Sequence, residues 1–321
     1  MEYTLPIGAT LSSGKYIIDG VIGIGGFGIT YAAHHNLLGT QYAIKELFVS
    51  GRSVREDNHY TVCLQNLEAE KYTKIRKRFF DEAKTLTKLD NPHVVKVLDV
   101  FEENNTAYIA MEFVPGETLQ KKIKRNGALA FRDAVNYIAQ LSEAVEYIHT
   151  KHILHRDIKP DNVMITPEER VVLIDFGSAR IFVNDEVQNH TTILTQGYAP
   201  IEQYSSSSKK GNYTDIYALG AVFYFILTGE KPMEATTRVY EEFKSPREIN
   251  PNVPEDVNRT IMKAMEVKAE NRYQNVADFK RDLIGGGAVV TQTPRFCRIC
   301  GTSLNPTSRF CRKCGTPVEH K

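Results

Sequence analysis

The sequence predicts an α+β chain of two lobes, β-rich and then helical, followed by a small cysteine module. Three observations carry this. Short apolar runs rich in Val, Ile and Tyr dominate up to Val114, and after Pro115-Gly116 they give way to long patterns of helical period. The length, 321 residues, suffices for two domains with a full-sized core. Four of the five cysteines fall within the last 25 residues.

The elements follow in order. Tyr16–Ile22 runs into a glycine cluster, and Ile29–Ala33 and Gln41–Phe48 are further short apolar runs with Leu38-Gly39-Thr40 as the turn between them. Together they read as an antiparallel meander. Residues 49–66 are polar and irregular. From about Leu67 the pattern is helical: Leu67, Ile75, Phe79, Ala83, Leu86 and Leu89 keep roughly helical spacing until Asn91-Pro92 stops the run. Two strands are expected at Val94–Phe101 and Thr106–Val114, around the turn Glu103-Asn104-Asn105. Phe131–Thr150 carries the stripe Ala134, Ile138, Leu141, Val145 and Ile148, a strongly amphipathic helix. Tyr213–Thr228 is apolar nearly all round, hence a buried helix. Further helices are expected near Pro254–Val267 and Asn275–Ile284, and Gly285-Gly286-Gly287 opens a flexible linker over 285–294.

Composition narrows the function classes. Apolar residues make up 42% and charged residues 25%, which excludes a mainly disordered or collagen-like chain. Lys+Arg is 40 against Asp+Glu 39, a formal charge of +1, so nucleic-acid binding is not expected. Met1–Pro6 has no basic and apolar leader pattern, and the uncharged, almost wholly apolar stretch Ile216–Gly229 is too short to span a bilayer. A cytoplasmic location with no membrane contact is the expectation.

Four motifs carry chemistry. Gly23-Ile24-Gly25-Gly26-Phe27-Gly28 fits G-x-G-x-x-G, where missing Cβ atoms let backbone N–H groups approach phosphate. A plain glycine turn and a dinucleotide loop compete with that reading. The dinucleotide loop requires a helix next, whereas Ile29–Ala33 continues as strand. Lys45 ends Tyr42-Ala43-Ile44-Lys45, on a strand paired with the loop, and can reach the same phosphates as a point charge. His155-Arg156-Asp157-Ile158-Lys159-Pro160-Asp161-Asn162 packs titratable groups between the apolar flanks Ile153-Leu154 and Val163-Met164-Ile165. Phosphoryl transfer needs a carboxylate to orient the attacking hydroxyl, a cation near the γ-phosphate and oxygen ligands for Mg²⁺. Asp157, Lys159 and Asn162 can supply these in turn. Asp175-Phe176-Gly177 follows the apolar strand Val171–Ile174, which suits either a simple turn or a Mg²⁺ ligand aimed into a cleft.

With all four in this order, residues 15–284 resemble the protein kinase family. The resemblance implies a two-lobed kinase fold (N-lobe 15–113, C-lobe 115–284) that uses ATP and Mg²⁺. It implies that Asp157 accepts the substrate hydroxyl proton and that Lys159 marks a Ser/Thr type. Asn162 and Asp175 become the Mg²⁺ ligands and Lys45 the α/β-phosphate lysine. The expected partner of Lys45 is Glu82, with Glu68 and Glu70 as alternatives. Gly23, Gly25, Gly26, Phe27 and Gly28 would cover the phosphates. Glu112 and Val114 would bond adenine through their backbone, Met111 would be the gatekeeper, and Thr30, Ala43 and Met164 would sandwich the purine. Core packing alone also suits these apolar positions. Glu202 resembles the end of an Ala-Pro-Glu motif, Arg272 its buried partner, and Asp215 the residue bracing the catalytic loop. Arg156 implies a phosphate on the activation segment, at Thr191 or Thr192; Thr195 suits a fixed substrate-site hydroxyl instead.

Several positions depart from the family pattern. Pro200-Ile201-Glu202 follows Ala199, so the motif's register is ambiguous by one. Thr30 replaces the usual Val, and Tyr217 stands where many kinases place Trp. Glu82 lies 37 residues beyond Lys45, so residues 49–75 read as an insertion. No catalytic group is lost. The glycine loop with Gly26 and the run Gly197–Gln203 resemble bacterial members.

In the tail, Arg295–Thr302 is echoed by Arg309–Thr316. Cys297-x-x-Cys300 and Cys311-x-x-Cys314 offer four thiolates for structural Zn²⁺, and residues 295–318 resemble a zinc ribbon. Disulfides are the competing reading, disfavoured in a reducing compartment. Six basic residues against one Glu from Thr291 to Lys321 leave too little charge, once a Zn(Cys)₄ centre forms, for nucleic acid; a protein contact is expected. The leading expectation is a protein kinase acting on Ser/Thr. A non-catalytic scaffold presenting the ribbon, or a small-molecule kinase, are the rivals.

Overall fold

A computed structural model describes residues 3–65, 67–176, 196–205 and 207–285, and in the tail 295–296, 303–304, 310 and 314. The small lobe is built on an antiparallel sheet. Its strands are β1 (Thr10–Leu11), β2 (Tyr16–Ile24), β3 (Gly28–His35) and β4 (Gln41–Leu47), joined after the helix α1 (Ala69–Leu86) by β7 (Val97–Glu103) and β8 (Thr106–Glu112). Between β4 and α1 lies a short hairpin, β5 (Ser53–Arg55) and β6 (Val62–Leu64). The sheet order is β1-β2-β3-β4-β8-β7. Its two outermost strands are short or irregular: β1 has two residues, and β7 has a register shift between Val97 and Asp99.

Period-two alternation decides which face each residue serves. On β8, Ala107 and Ile109 join the main core, whereas Tyr108 and Ala110 join a second, smaller cluster. The main-core face receives α1 through Tyr72, Phe79, Ala83 and Leu86, spaced for one helical stripe. The opposite face carries Ile18, Ile29, Tyr31 and Ile44, and it is covered by Leu5, Ala9 and Val62. Both faces of the small-lobe sheet are therefore buried. Their polarity suggests that residues 49–66 are irregular, but residues 49–65 hold the β5–β6 hairpin, and residues 69–75 of the apparent insertion are the first turns of α1.

The large lobe follows. β9 (Glu117–Thr118) leads into α2 (Leu119–Asn126), whose first turn is capped by Thr118 accepting from the Lys121 amide at 3.2 Å. α3 spans Phe131–Thr150, the range the periodicity predicts, and its five stripe residues are fully buried. β10 (Val163–Ile165) and β11 (Val171–Leu173) form a three-stranded sheet with β9. Gly116, at φ 122°, sits just before β9, where a Cβ would meet the Ile165 carbonyl oxygen at 2.1 Å. Only glycine permits that approach between hinge and sheet.

α4 (Asn212–Thr228) is buried on every side, as its composition predicts. At Gly220 a Cβ would come within 2.8 Å of the Ala264 Cβ, so this residue sets the close crossing with α5 (Glu255–Ala264). α6 (Val276–Gly285) closes the lobe. The helix includes Gly285, the first residue of the expected linker. In the tail, β12 (Arg295–Phe296) pairs with β13 (Ser303–Leu304). Among the described residues no helix is long and apolar enough to cross a membrane.

Candidate active site

Strand register explains how the glycine loop and Lys45 meet. Thr30 stands directly across from Lys45 on the β3–β4 ladder, and Gly28 across from Leu47. A Cβ at Gly28 would meet the Glu46 carbonyl oxygen at 2.6 Å and Lys45 Cε at 3.3 Å. The last glycine of the loop thus packs on the backbone that carries the lysine.

Two adjoining cavities open between the lobes. The first, about 120 Å³, is apolar and is lined by Thr30, Ala43, Met111, Glu112, Val114 and Met164 among others. Ala43 and Met111 are cross-strand neighbours on β4 and β8, and Met164 reaches the cavity from β10 below. The second, about 560 Å³, is polar. Gly23, Gly25, Gly26, Phe27, Gly28, Lys45, Asp157, Lys159, Asn162 and Asp175 all line it. Sequence reasoning missed Ile22, Val95 and Ile174 in the first cavity, and Thr118, Lys121 and Asp161 in the second. Ile22 and Ile174 flank motifs already singled out, and that adjacency is a usable signal. Val95 follows an unremarkable Pro-His turn and gives none.

The catalytic loop is held by buried groups. Asp215, fully buried at the start of α4, accepts the His155 amide at 2.9 Å and the Arg156 amide at 2.7 Å. His149 Nε2 lies 2.8 Å from the same carboxylate. Burial opposes ionisation of Asp215, yet these bonds hold its carboxyl below the usual range. Burial also pushes the His155 imidazole down, and Phe176 packs on that ring with centroids 4.8 Å apart. Arg156 (φ 62°) and Asp175 (φ 59°) both occupy the left-handed region without being glycine. Such residues cost on the order of 1–3 kcal/mol each, and the Asp215 bonds are one reason the loop tolerates it.

Asp157 is oriented from two sides. Asn162 Nδ2 donates to Asp157 Oδ2 at 3.0 Å and to its carbonyl at 2.8 Å, and Lys159 Nζ lies 3.0 Å from Oδ2. Because the Asn162 amide nitrogen is committed, its oxygen is the atom left for a cation. Asp175 faces the same cavity.

One expected pairing is not made. Lys45 bonds to Asp175, not to Glu82. Glu82 lies near enough for Lys45 and Arg156 to act on its charge, yet its Oε2 is sealed from solvent with no hydrogen-bond partner among the described residues. Burial is the main cause that pushes its carboxyl up to about 7, with the Lys45 charge opposing. The alternatives are excluded by position: Glu68 and Glu70 are exposed and pair with Lys71 and Lys74 on their own helix. A raised carboxyl favours the protonated fold, so Glu82 contributes stability below its ordinary range, near 4.5, and that contribution is lost as pH rises through about 7. Glu82→Gln should therefore gain stability over the wild type between pH 5 and 8, on the order of 2 kcal/mol after allowance for partial solvation. Urea midpoints of the nucleotide-free protein measure this. A difference that stays flat across that range would refute it.

Away from the cleft, Arg272 meets Glu202 in a bidentate pair at 2.8 and 3.0 Å, with both side chains buried. Tyr217, in place of the family's Trp, stacks against this Arg272 at 4.9 Å. Thr191, Thr192 and Thr195 lie outside the described residues, as do Gly177 and three of the four tail cysteines, Cys297, Cys300 and Cys311. Cys314 is an exposed turn residue. The β12–β13 pairing brackets residues 297–302, which hold the first Cys-x-x-Cys.

This bipartite cleft is roofed by the glycine loop and floored by Asp157, Lys159 and Asn162. The protein kinase domain model matches residues 16–283, and the chain belongs to that family. A zinc-ribbon domain model matches residues 296–318. A probable serine/threonine-protein kinase of Clostridium acetobutylicum is 31% identical over 281 residues, 85% of this chain and 40% of that protein. Serine/threonine-protein kinase PrkC of Bacillus subtilis is 31% identical over 278 residues, 84% of this chain and 40% of PrkC. This chain therefore spans about two-fifths of the length of these relatives. Among solved structures, the apo form of PpkA-294 superposes with a TM-score of 0.79 at 31% identity, covering 88% of this chain and all of that one. Rad53 shares the fold, with a TM-score of 0.65 at 24% identity, over 84% of this chain and 65% of that one.

Proposed function

We propose that this chain is an ATP-dependent protein kinase that transfers the γ-phosphoryl group to Ser or Thr hydroxyls of protein substrates, with its zinc-ribbon tail serving regulation or partner binding. One observation carries the reading: Lys45, Asp157, Lys159, Asn162 and Asp175 converge on a single cavity beneath the glycine loop. In phosphoryl transfer the protein's task is positioning and charge stabilisation. The apolar cavity takes the purine between Ala43 and Met164, with the Glu112 and Val114 backbone as its polar edge and Met111 at the back. The glycine loop and Lys45 orient the phosphates. Asp157, held by Asn162 and Lys159, accepts the hydroxyl proton. Asn162 and Asp175 would hold Mg²⁺, which when bound neutralises charge on the phosphate oxygens. Lys159 lies two residues beyond Asp157, as in Ser/Thr-type members of the family. Transfer of radiolabel from γ-labelled ATP to a generic protein substrate tests the proposal. No transfer by purified full-length chain at any Mg²⁺ concentration would refute it.

For the tail, Cys297, Cys300, Cys311 and Cys314 form a four-thiolate donor set suited to tetrahedral zinc. A module of about 25 residues buries too little to fold without such a metal. Purified protein should carry one zinc per chain, and Cys311→Ser should abolish it while leaving the thermal transition of residues 1–284 nearly unmoved. Metal analysis under reducing conditions decides the first point and calorimetry the second. The expected partner of this module is a protein, neither nucleic acid nor membrane, and the expected location is the cytoplasm.

A further inference from the structure

The insertion after β4 contacts three parts of the phosphotransfer machinery. At its base, the Phe48 amide donates to the Phe27 carbonyl at 3.1 Å and the Ser50 amide to the Gly26 carbonyl at 2.9 Å, so the chain grips the glycine loop. In the middle, Arg55 enters the second core beside Glu46, the residue next to Lys45. The exposures of the two side chains are 1% and 0%. Arg55 Nη2 lies 2.5 Å from Glu46 Oε2 and donates to the Tyr31 hydroxyl at 3.0 Å, while Nη1 donates to the Tyr60 carbonyl at 2.7 Å. The hydroxyls of Tyr31 and Tyr108 donate to the Glu46 carboxylate at 2.8 and 3.0 Å. At its far end, the Val62 amide donates to the Asn104 carbonyl, and Asn105 Nδ2 returns a bond to the Val62 carbonyl at 2.8 Å. Asn105 Oδ1 in turn accepts from Arg76 on α1 at 3.1 Å, and α1 carries Glu82.

Alternation on β4 gives this network its direction. Lys45 faces the cleft, so Glu46 faces away from it. A carboxylate there faces away from the phosphate site, and burying an ion pair so deeply is weak evidence of stabilisation, since an apolar pair of similar volume often serves as well or better. A buried pair of this kind is best understood as fixing geometry.

We propose that residues 48–65 are an intramolecular strap that holds the glycine loop, the Lys45 strand and helix α1 in fixed relation, with Arg55 as its positioning residue. The proposal rests on the kinase reading for its consequence in catalysis, and on the geometry alone for its mechanical part. Two full-length variants test it. Glu46→Gln with Arg55→Met removes both charges together, so neither is left buried and unpaired, at the cost of the donors to the Tyr3 and Tyr60 carbonyls. Asn105→Gly keeps the positive φ of 56° at that position and removes the two side-chain bonds, to the Val62 carbonyl and from Arg76, that bridge the strap to α1. Each is compared with the wild type by thermal unfolding, amide exchange of residues 23–28 and 69–86, affinity for a non-hydrolysable ATP analogue, and kcat.

The double variant should unfold cooperatively, exchange faster at both segments, bind the analogue more weakly and lose on the order of 10- to 100-fold in kcat, the scale of an ångström-level misplacement. Asn105→Gly should speed exchange in α1 and leave the glycine loop alone. Wild-type exchange and analogue affinity in folded variants would overturn the strap. If the double variant does not fold, the exchange pattern of Asn105→Gly decides alone. If the wild type transfers no phosphate yet the exchange pattern appears, the strap stands and the kinase reading fails.

Discussion

Asp157→Asn should lower turnover by about 10²–10⁴-fold while leaving affinity for ATP nearly unchanged. Asp157 lines the polar cavity and not the apolar cavity proposed for the purine. The amide is isosteric, so Asn162 and Lys159 still find an oxygen to contact, but it accepts no proton from a substrate hydroxyl. The loss should therefore appear in kcat, with little change in KM for ATP. Steady-state kinetics with a generic protein substrate, together with analogue binding, measure both. Wild-type turnover in the variant would show that another group takes the proton.

The second large effect is on stability. Arg272→Met should destabilise the large lobe by about 3–5 kcal/mol, because it leaves the Glu202 carboxylate buried beside Thr214 with no countercharge. The arginine also donates to the Glu266 carbonyl at 2.6 Å and the Val267 carbonyl at 2.8 Å, and those carbonyls lose their partner as well. Adding Glu202→Leu to Arg272→Met should restore part of the loss, since the orphaned charge goes with it. Urea unfolding of the three proteins tests this. A loss under about 1 kcal/mol for the single change, or a further loss for the pair, would contradict it.

How much of this could be read beforehand depended on the kind of signal. Helix α3 matches its predicted range because a five-residue stripe of strict period is hard to mistake. The motif residues were legible because their chemistry is dense within short runs, and they do meet in one cavity. The β5–β6 hairpin was not legible. Ser53-Val54-Arg55 and Val62-Cys63-Leu64 are too short to show a period, and they mix charge with apolar groups. The Arg55–Glu46 pair likewise follows no spacing rule, since it depends on a turn that only tertiary packing defines. Gly285 reads as a breaker but ends a helix whose inner face is already buried through Phe279 and Leu283. The choice of Asp175 by Lys45 joins residues 130 positions apart, a distance over which local pattern carries no information.

The two outer strands of the small-lobe sheet bear on how copies of this chain meet. A long, flat, apolar outer strand invites another chain to continue the sheet, and that is a common route to aggregation. Here one border is only two residues long. The other, β7, breaks register near its start, and its carboxylates are already engaged, Asp99 by Lys15, Glu102 by Arg76 and Glu103 by the Ser12 amide, so the turn after β1 folds against this strand. Strand-by-strand growth from this six-stranded sheet is therefore disfavoured at both borders. Self-association through it would use side-chain surfaces and not backbone pairing, which makes it tunable by single substitutions and reversible on dilution.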